Sequence, residues 1–217
     1  MADDSDDPAA TAHELLDTAG TSFATEAGIE LEDRPAPLYR LLVLTVLLSS
    51  RVQAKLGTRA CRALVDAGLG TPARMRDAAR QDVFDTLDRA KFLSKDQTTD
   101  ALRQGAELVA DRWDGDLRGM RTEADGDVDA LRGFLTEVPR LGPVGTDIFL
   151  REVQLVWPEF RPHLDTKATE GAKAVGLPTD PEALAALVDG DDLARFSAAL
   201  VRANLDDDVA AEVAGPG

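Results

Sequence analysis

Between Leu38 and Ser49 the sequence L-Y-R-L-L-V-L-T-V-L-L-S places apolar side chains on nearly every side of a helix. Such a helix is buried all round and belongs at the centre of a domain. Ala, Leu and Val dominate the apolar residues and aromatics are only 5%, a composition that favours helices around it. No stretch sustains strict two-residue alternation over a strand's length, so the fold class is all-α. At 217 residues and 44% hydrophobic, the chain can bury a substantial core, as one large domain or as two lobes.

The rest of the chain reads as helices around that centre. Residues 1–12 (MADDSDDPAATA) are expected to be a flexible acidic tail, and residues 13–27 a short helix interrupted at Gly20. A polar interruption from Ser49 to Lys55 leads into a helix from Val52 to Ala67, closed by Gly68 and Gly70; Thr71 and Pro72 then cap the next. Short helices follow over Thr71–Ala79 and Arg80–Leu87, then a long one over Asp96–Trp113 that stops at Gly115. A polar loop is expected as far as Asp127 and a helix over Val128–Val138. After Asp165 the pattern predicts helices over 166–174, 181–188 and 192–204.

The single cysteine, Cys61, excludes a disulfide and a cysteine-ligated cluster or zinc site; it reads as a small buried hydrophobe. No metal site is expected. The net charge of −16 by itself argues against a polyanionic partner, but acids fall in runs (Asp189, Asp191, Asp192; Asp206, Asp207, Asp208) and the bases are mostly Arg. That balance resembles proteins of salt-loving organisms. In about molar salt the Debye length falls to about 3 Å, so contact geometry and not net charge decides what binds. The longest apolar run, Leu41–Leu48, is well short of the roughly 20 residues that span a bilayer. With an acidic start to the chain, the expectation is a cytoplasmic protein with no membrane contact.

The stretch from Pro139 to Asp165 carries the functional signal. A helix ending in V-P, a turn with Gly142 and Gly145, and a helix starting near Val144 describe a helix-hairpin-helix at about 128–157. Its glycines permit a tight turn, and the free N–H groups at the start of the second helix can hold a phosphate without a basic side chain. Several segments in order resemble the helix-hairpin-helix-Gly/Pro-Asp (HhH-GPD) superfamily of DNA glycosylases, of which endonuclease III is a branch: L-V-L-T-V-L-L-S-S-R-V-Q, F-L-S-K-D-Q-T-T-D-A-L, W-D-G-D-L, V-P-R-L-G-P-V-G-T-D-I-F-L and H-L-D-T-K-A. The resemblance implies a two-lobed helical fold. Residues 37–150 would form one lobe ending in the hairpin, and residues 13–36 plus 151–217 a second lobe carrying the catalytic acid. That acid falls on Asp165, where it would stabilise the cationic sugar formed as a base departs; as a residue before T-K-A-T-E it is also a helix N-cap. Double-stranded DNA is the implied partner of a monomeric protein, and Arg51 falls where the family inserts a side chain into the duplex beside an extruded base.

The sequence departs from endonuclease III in three places. The nucleophilic lysine of the family hairpin falls on Val144, which cannot form a Schiff base. The first hairpin glycine falls on Arg140. The iron–sulfur loop is absent, so no cofactor is implied beyond a monovalent cation at the hairpin. The reading is therefore a monofunctional glycosylase using water and Asp165, with DNA contacts from Arg51, Arg140, Gly142, Val144, Gly145, Thr146 and Lys167, and with Arg151 and Lys173 rimming the hairpin face. Lys95 and Lys167 are candidates for a relocated lysine, and Trp157 and Phe160 for shaping a cleft. The alternatives are a catalytically degenerate DNA-binding relative and a helical protein–protein adaptor.

Overall fold

The computed structural model describes residues 7–50 and 52–214, and among them every regular element is helical. The α-helices are α1 (Pro8–Ala19), α2 (Phe23–Glu26), α3 (Pro35–Leu48), α4 (Ala54–Asp66), α5 (Pro72–Asp77), α6 (Arg80–Arg89), α7 (Lys95–Trp113), α8 (Leu117–Ala124), α9 (Val128–Thr136), α10 (Pro143–Val153), α11 (Thr166–Ala174), α12 (Pro181–Ala185), α13 (Leu193–Leu205) and α14 (Asp207–Ala214). None of the described helices is long and apolar enough to cross a membrane. Residues 23–149 form one compact unit; residues up to 22 and from 150 onward form the other.

In the unit of residues 23–149, α3 is the centre its sequence requires: Leu38, Leu41, Leu44 and Leu47 are fully buried. Helices α4, α7 and α8 pack around it, and α5 and α6 pack on α7. Residues 23–36, expected with the second lobe, belong here instead. Phe23 and Ala24 are buried, the Thr58 hydroxyl donates to Glu26 Oε1 at 3.3 Å, Arg62 donates to the Glu26 carbonyl at 2.7 Å, and Arg121 pairs with Asp33 at 2.7 Å. Cys61 lies on α4, fully buried, and burial pushes its thiol up to about 12. At neutral pH it therefore stays a thiol. Iodoacetamide should label it only after denaturation; labelling of the native protein, read by mass spectrometry, would contradict this packing.

In the other unit α13 is central, with α11, α1 and α14 packed against it and Phe196, Ala199 and Leu200 fully buried. Two of its arginines satisfy carbonyls left open at the end of α1: Arg195 Nε donates to Gly20 O at 2.9 Å and Arg202 Nη1 to Ala19 O at 2.9 Å. The expected tail is shorter than 1–12. Asp7 accepts from the Ala9 N–H at 3.0 Å and Pro8 opens α1, so residues 8–12 are helical; residues 1–6 lie outside the described residues.

Two helices lie where none was specified. Helix α8 occupies the presumed loop before Asp127, capped by Asp116, with Leu117, Met120 and Ala124 buried. Its Gly119 is not a break: a Cβ there would lie 3.0 Å from Trp113 Cδ1, so the glycine allows the Trp113 ring to approach. Helix α14 begins at the acid run 206–208, where Asp206 accepts from the Asp208 N–H at 3.1 Å and the carboxylates stand at a helix N-terminus, which favours them.

Candidate nucleic-acid interface at the hairpin

Helix α9 ends at Thr136 and α10 begins at Pro143, so two helices joined by a short turn, called the hairpin below, occupy the expected 128–157, and the second helix stops at Val153. Arg140, expected at the place of a hairpin glycine, adopts φ +68°. This is the left-handed backbone that glycine adopts without cost, and the turn keeps that shape despite the side chain. The Arg140 guanidinium donates to Gln97 Oε1, tying the turn to the first turn of α7.

Gly142 is exposed, and an added Cβ there would meet nothing within 4 Å. Its carbonyl accepts from the Thr146 N–H at 3.0 Å, which makes it the N-cap of α10. Pro143 has no N–H, and the amides of Val144 and Gly145 fall in the first turn, where a helix offers no acceptor. Val144 is 53% exposed. At the tip, Gly142, Pro143 and Val144 are all exposed.

The remaining hairpin candidates have structural roles. Gly145 is buried, and a Cβ there would lie 2.6 Å from Ser49 Oγ and 2.9 Å from Leu141 Cγ, so the glycine lets α10 seat against the end of α3. Thr146 is buried; its hydroxyl donates to Pro143 O at 2.7 Å and accepts from Arg132 Nη1 at 3.1 Å. Neither is the exposed phosphate contact expected of it. Arg132 also pairs through Nη2 with Asp147 Oδ1 at 2.5 Å, bridging α9 to α10. Arg51 lies outside the described residues.

In the other unit, Asp165 N-caps α11, Oδ1 accepting from the Ala168 N–H at 3.1 Å. Its Oδ2 is 3.2 Å from Arg151 Nε, and the two side chains are 7% and 5% exposed. Arg151 Nε makes no hydrogen bond, so the contact is an ion pair without a directional bond. Arg151 is therefore a buried partner of Asp165 and not part of a basic rim, and Asp165 does not present an open carboxylate. The loop before it is pinned to the end of α10. Buried Gln154 donates to His163 O at 3.1 Å and accepts from the His163 N–H at 2.9 Å, while Arg161 donates to Gln154 O and Leu155 O at 2.6 and 2.9 Å. Trp157 and Phe160 are core residues, 0% and 2% exposed, and do not line a cleft.

Of the lysines, Lys95 pairs with Asp88 and lies 5.4 Å from the Phe84 ring centroid, in the unit that does not contain Asp165. Lys167 is half-buried in the first turn of α11, and Lys173 is exposed near its end. Among the described residues no group of three His, Cys, Asp or Glu side chains gathers as a metal ion would need. Two clefts, of about 600 and 420 Å³, are lined by residues of α4–α6 and of α3, α5 and α7 with their flanking turns; neither includes a hairpin residue or Asp165.

Sequence reasoning missed Arg132 and Arg112. Arg112 pairs with Glu123 at 2.8 Å and with Glu137, its Cζ 4.8 Å from the Trp113 ring and 4.6 Å from the Phe134 ring. No local signal marks either, because their partners Glu123, Glu137 and Asp147 lie beyond the three- and four-residue spacings of a single helix face. No family model, no curated protein and no solved structure matches the chain.

Proposed function

We propose that this chain is a DNA-binding protein of the HhH-GPD glycosylase kind, gripping duplex phosphates with the hairpin. One observation carries the reading. In a chain with 40 acidic and 24 basic residues, the hairpin from Val138 to Thr146 holds no carboxylate, and the two that bound it, Glu137 and Asp147, are each paired with an arginine. A helix start whose N-cap is a glycine without a side chain, on an exposed turn free of carboxylates, suits a phosphate. Val144 in place of a lysine, and Asp165 buried against Arg151, favour binding without base release.

Base release by water is the second reading, favoured by the placement of Asp165 as N-cap of α11, where the resemblance puts the catalytic acid. It requires Arg151 to leave Oδ2.

The test is Gly142→Asp. Aspartate serves an N-cap at least as well as glycine, and the position has room, so thermal stability should hold. Affinity for a short fluorescein-labelled DNA duplex should fall about tenfold or more in about 0.1 M salt, since a carboxylate now stands where the phosphate would. Unchanged affinity would remove the hairpin from the interface, and no duplex binding by the wild type at any salt concentration would leave the adaptor reading. Release of a base from lesion-bearing duplexes by the wild type, lost in Asp165→Asn, would select the glycosylase.

A further inference from the structure

We propose that Arg132 and Arg112 are positioning residues that act as charge masks for the hairpin, cancelling the two carboxylates that would otherwise repel a polyanion. This rests on the reading that the hairpin holds DNA.

Glu137 and Asp147 immediately flank the carboxylate-free stretch, one at the end of α9 and one within the second turn of α10. Arg112 reaches Glu137 from α7, and Arg132 reaches Asp147 from α9. Neither arginine is placed as a phosphate ligand. Arg112 lies against two aromatic rings and also holds Glu123; Arg132 spends a second N–H on the Thr146 hydroxyl. Their side chains are only 29% and 32% exposed. What they contribute is electrostatic: an unmasked carboxylate near a bound phosphate costs about fivefold in affinity for a few ångströms' separation in near-aqueous dielectric. Because the bases are committed to flanking acids, the protein can keep its large negative charge everywhere else.

The masks are distinguished from struts by salt and by rescue. Arg132→Gln keeps a donor for Thr146 but frees the Asp147 charge. Affinity of the full chain for a short fluorescein-labelled duplex should fall about fivefold in ~0.1 M salt, where the Debye length is ~10 Å, and by less than about twofold in ~1 M salt, where it is ~3 Å. Adding Asp147→Asn should restore wild-type affinity, and Asp147→Asn alone, which releases the arginine's positive charge, should raise it. Arg112→Gln, with and without Glu137→Gln, is the independent second pair. A loss that persists in ~1 M salt, or that the neutralised acid fails to rescue in both pairs, would overturn the proposal in favour of a purely structural role. Wild-type binding with no change in either arginine variant would overturn it and leave the hairpin reading standing; a wild type that binds no duplex overturns both.

Discussion

Gly171→Ala should destabilise the protein by about 3 kcal/mol or more, the cost of forcing volume into a packed contact that cannot relax by a rotamer change. A Cβ built on Gly171 would lie 1.8 Å from Leu200 O, 2.7 Å from Leu200 C and 3.2 Å from Asn204 N. The obstacle is the backbone of α13, so α11 would have to retreat by well over an ångström. That retreat would loosen the contacts of Ala168 and Ala172, both fully buried on α11. Gly133→Ala is the internal control. It also lies inside a helix, but a Cβ there would meet nothing within 4 Å, so alanine should stabilise by about 0.5–1 kcal/mol. Urea unfolding followed by far-UV circular dichroism reads both. Gly171→Ala within about 1 kcal/mol of wild type would mean that α11 and α13 do not approach as closely as the structure places them.

Those two glycines look alike in the sequence, and that explains much of what could and could not be read. Whether a mid-helix glycine is a break, a gap or a close contact is decided by the neighbour that packs on it, which the local sequence does not show. The helical class was legible because Leu41, Leu44 and Leu47 have no face left for solvent, a property of the local sequence alone. Acidic residues were hard to read for a related reason: Asp116 and Asp206 are caps that begin α8 and α14, helices that the local pattern did not specify. Asp7 likewise starts α1 inside a segment that composition alone assigned to a tail.

The start of α10 was legible for the same reason as the core: its turn chemistry is local. Gly142 and Pro143 sit where a capped, proline-opened helix should start. Long-range charge pairing was not legible. Arg151 lies fourteen positions before Asp165 in sequence, with a helix end and a loop between them, and no periodicity connects them. Arg112 and Glu137 are on different helices. Assigning Arg151 to a basic rim counted its charge but could not know where the charge was spent.

Asp165→Ala should cost about 3–5 kcal/mol, because it removes an N-cap, worth about 1 kcal/mol, and leaves Arg151 as a buried charge without its partner. The partner variant separates the two losses. Asp165→Asn keeps a capping oxygen for the Ala168 N–H but loses the charge opposite Arg151, so most of its deficit should come from the stranded guanidinium. Adding Arg151→Met, which keeps an apolar stem of similar length, should recover most of that deficit, since replacing a buried pair by groups that need no partner is often close to neutral. The coupling from this double-mutant cycle, measured by urea unfolding, should be about 2 kcal/mol or more, as expected for side chains in direct contact; a coupling near zero would mean that the pair is not formed in solution. The cycle bears on function as well. If the Asp165→Asn/Arg151→Met protein is stable and binds duplex DNA as the wild type does, the carboxylate serves the fold of its own unit and binding belongs to the hairpin. If the wild type releases a base and the stable double variant does not, Asp165 acts on DNA, and the ion pair with Arg151 describes only the unliganded state of that acid.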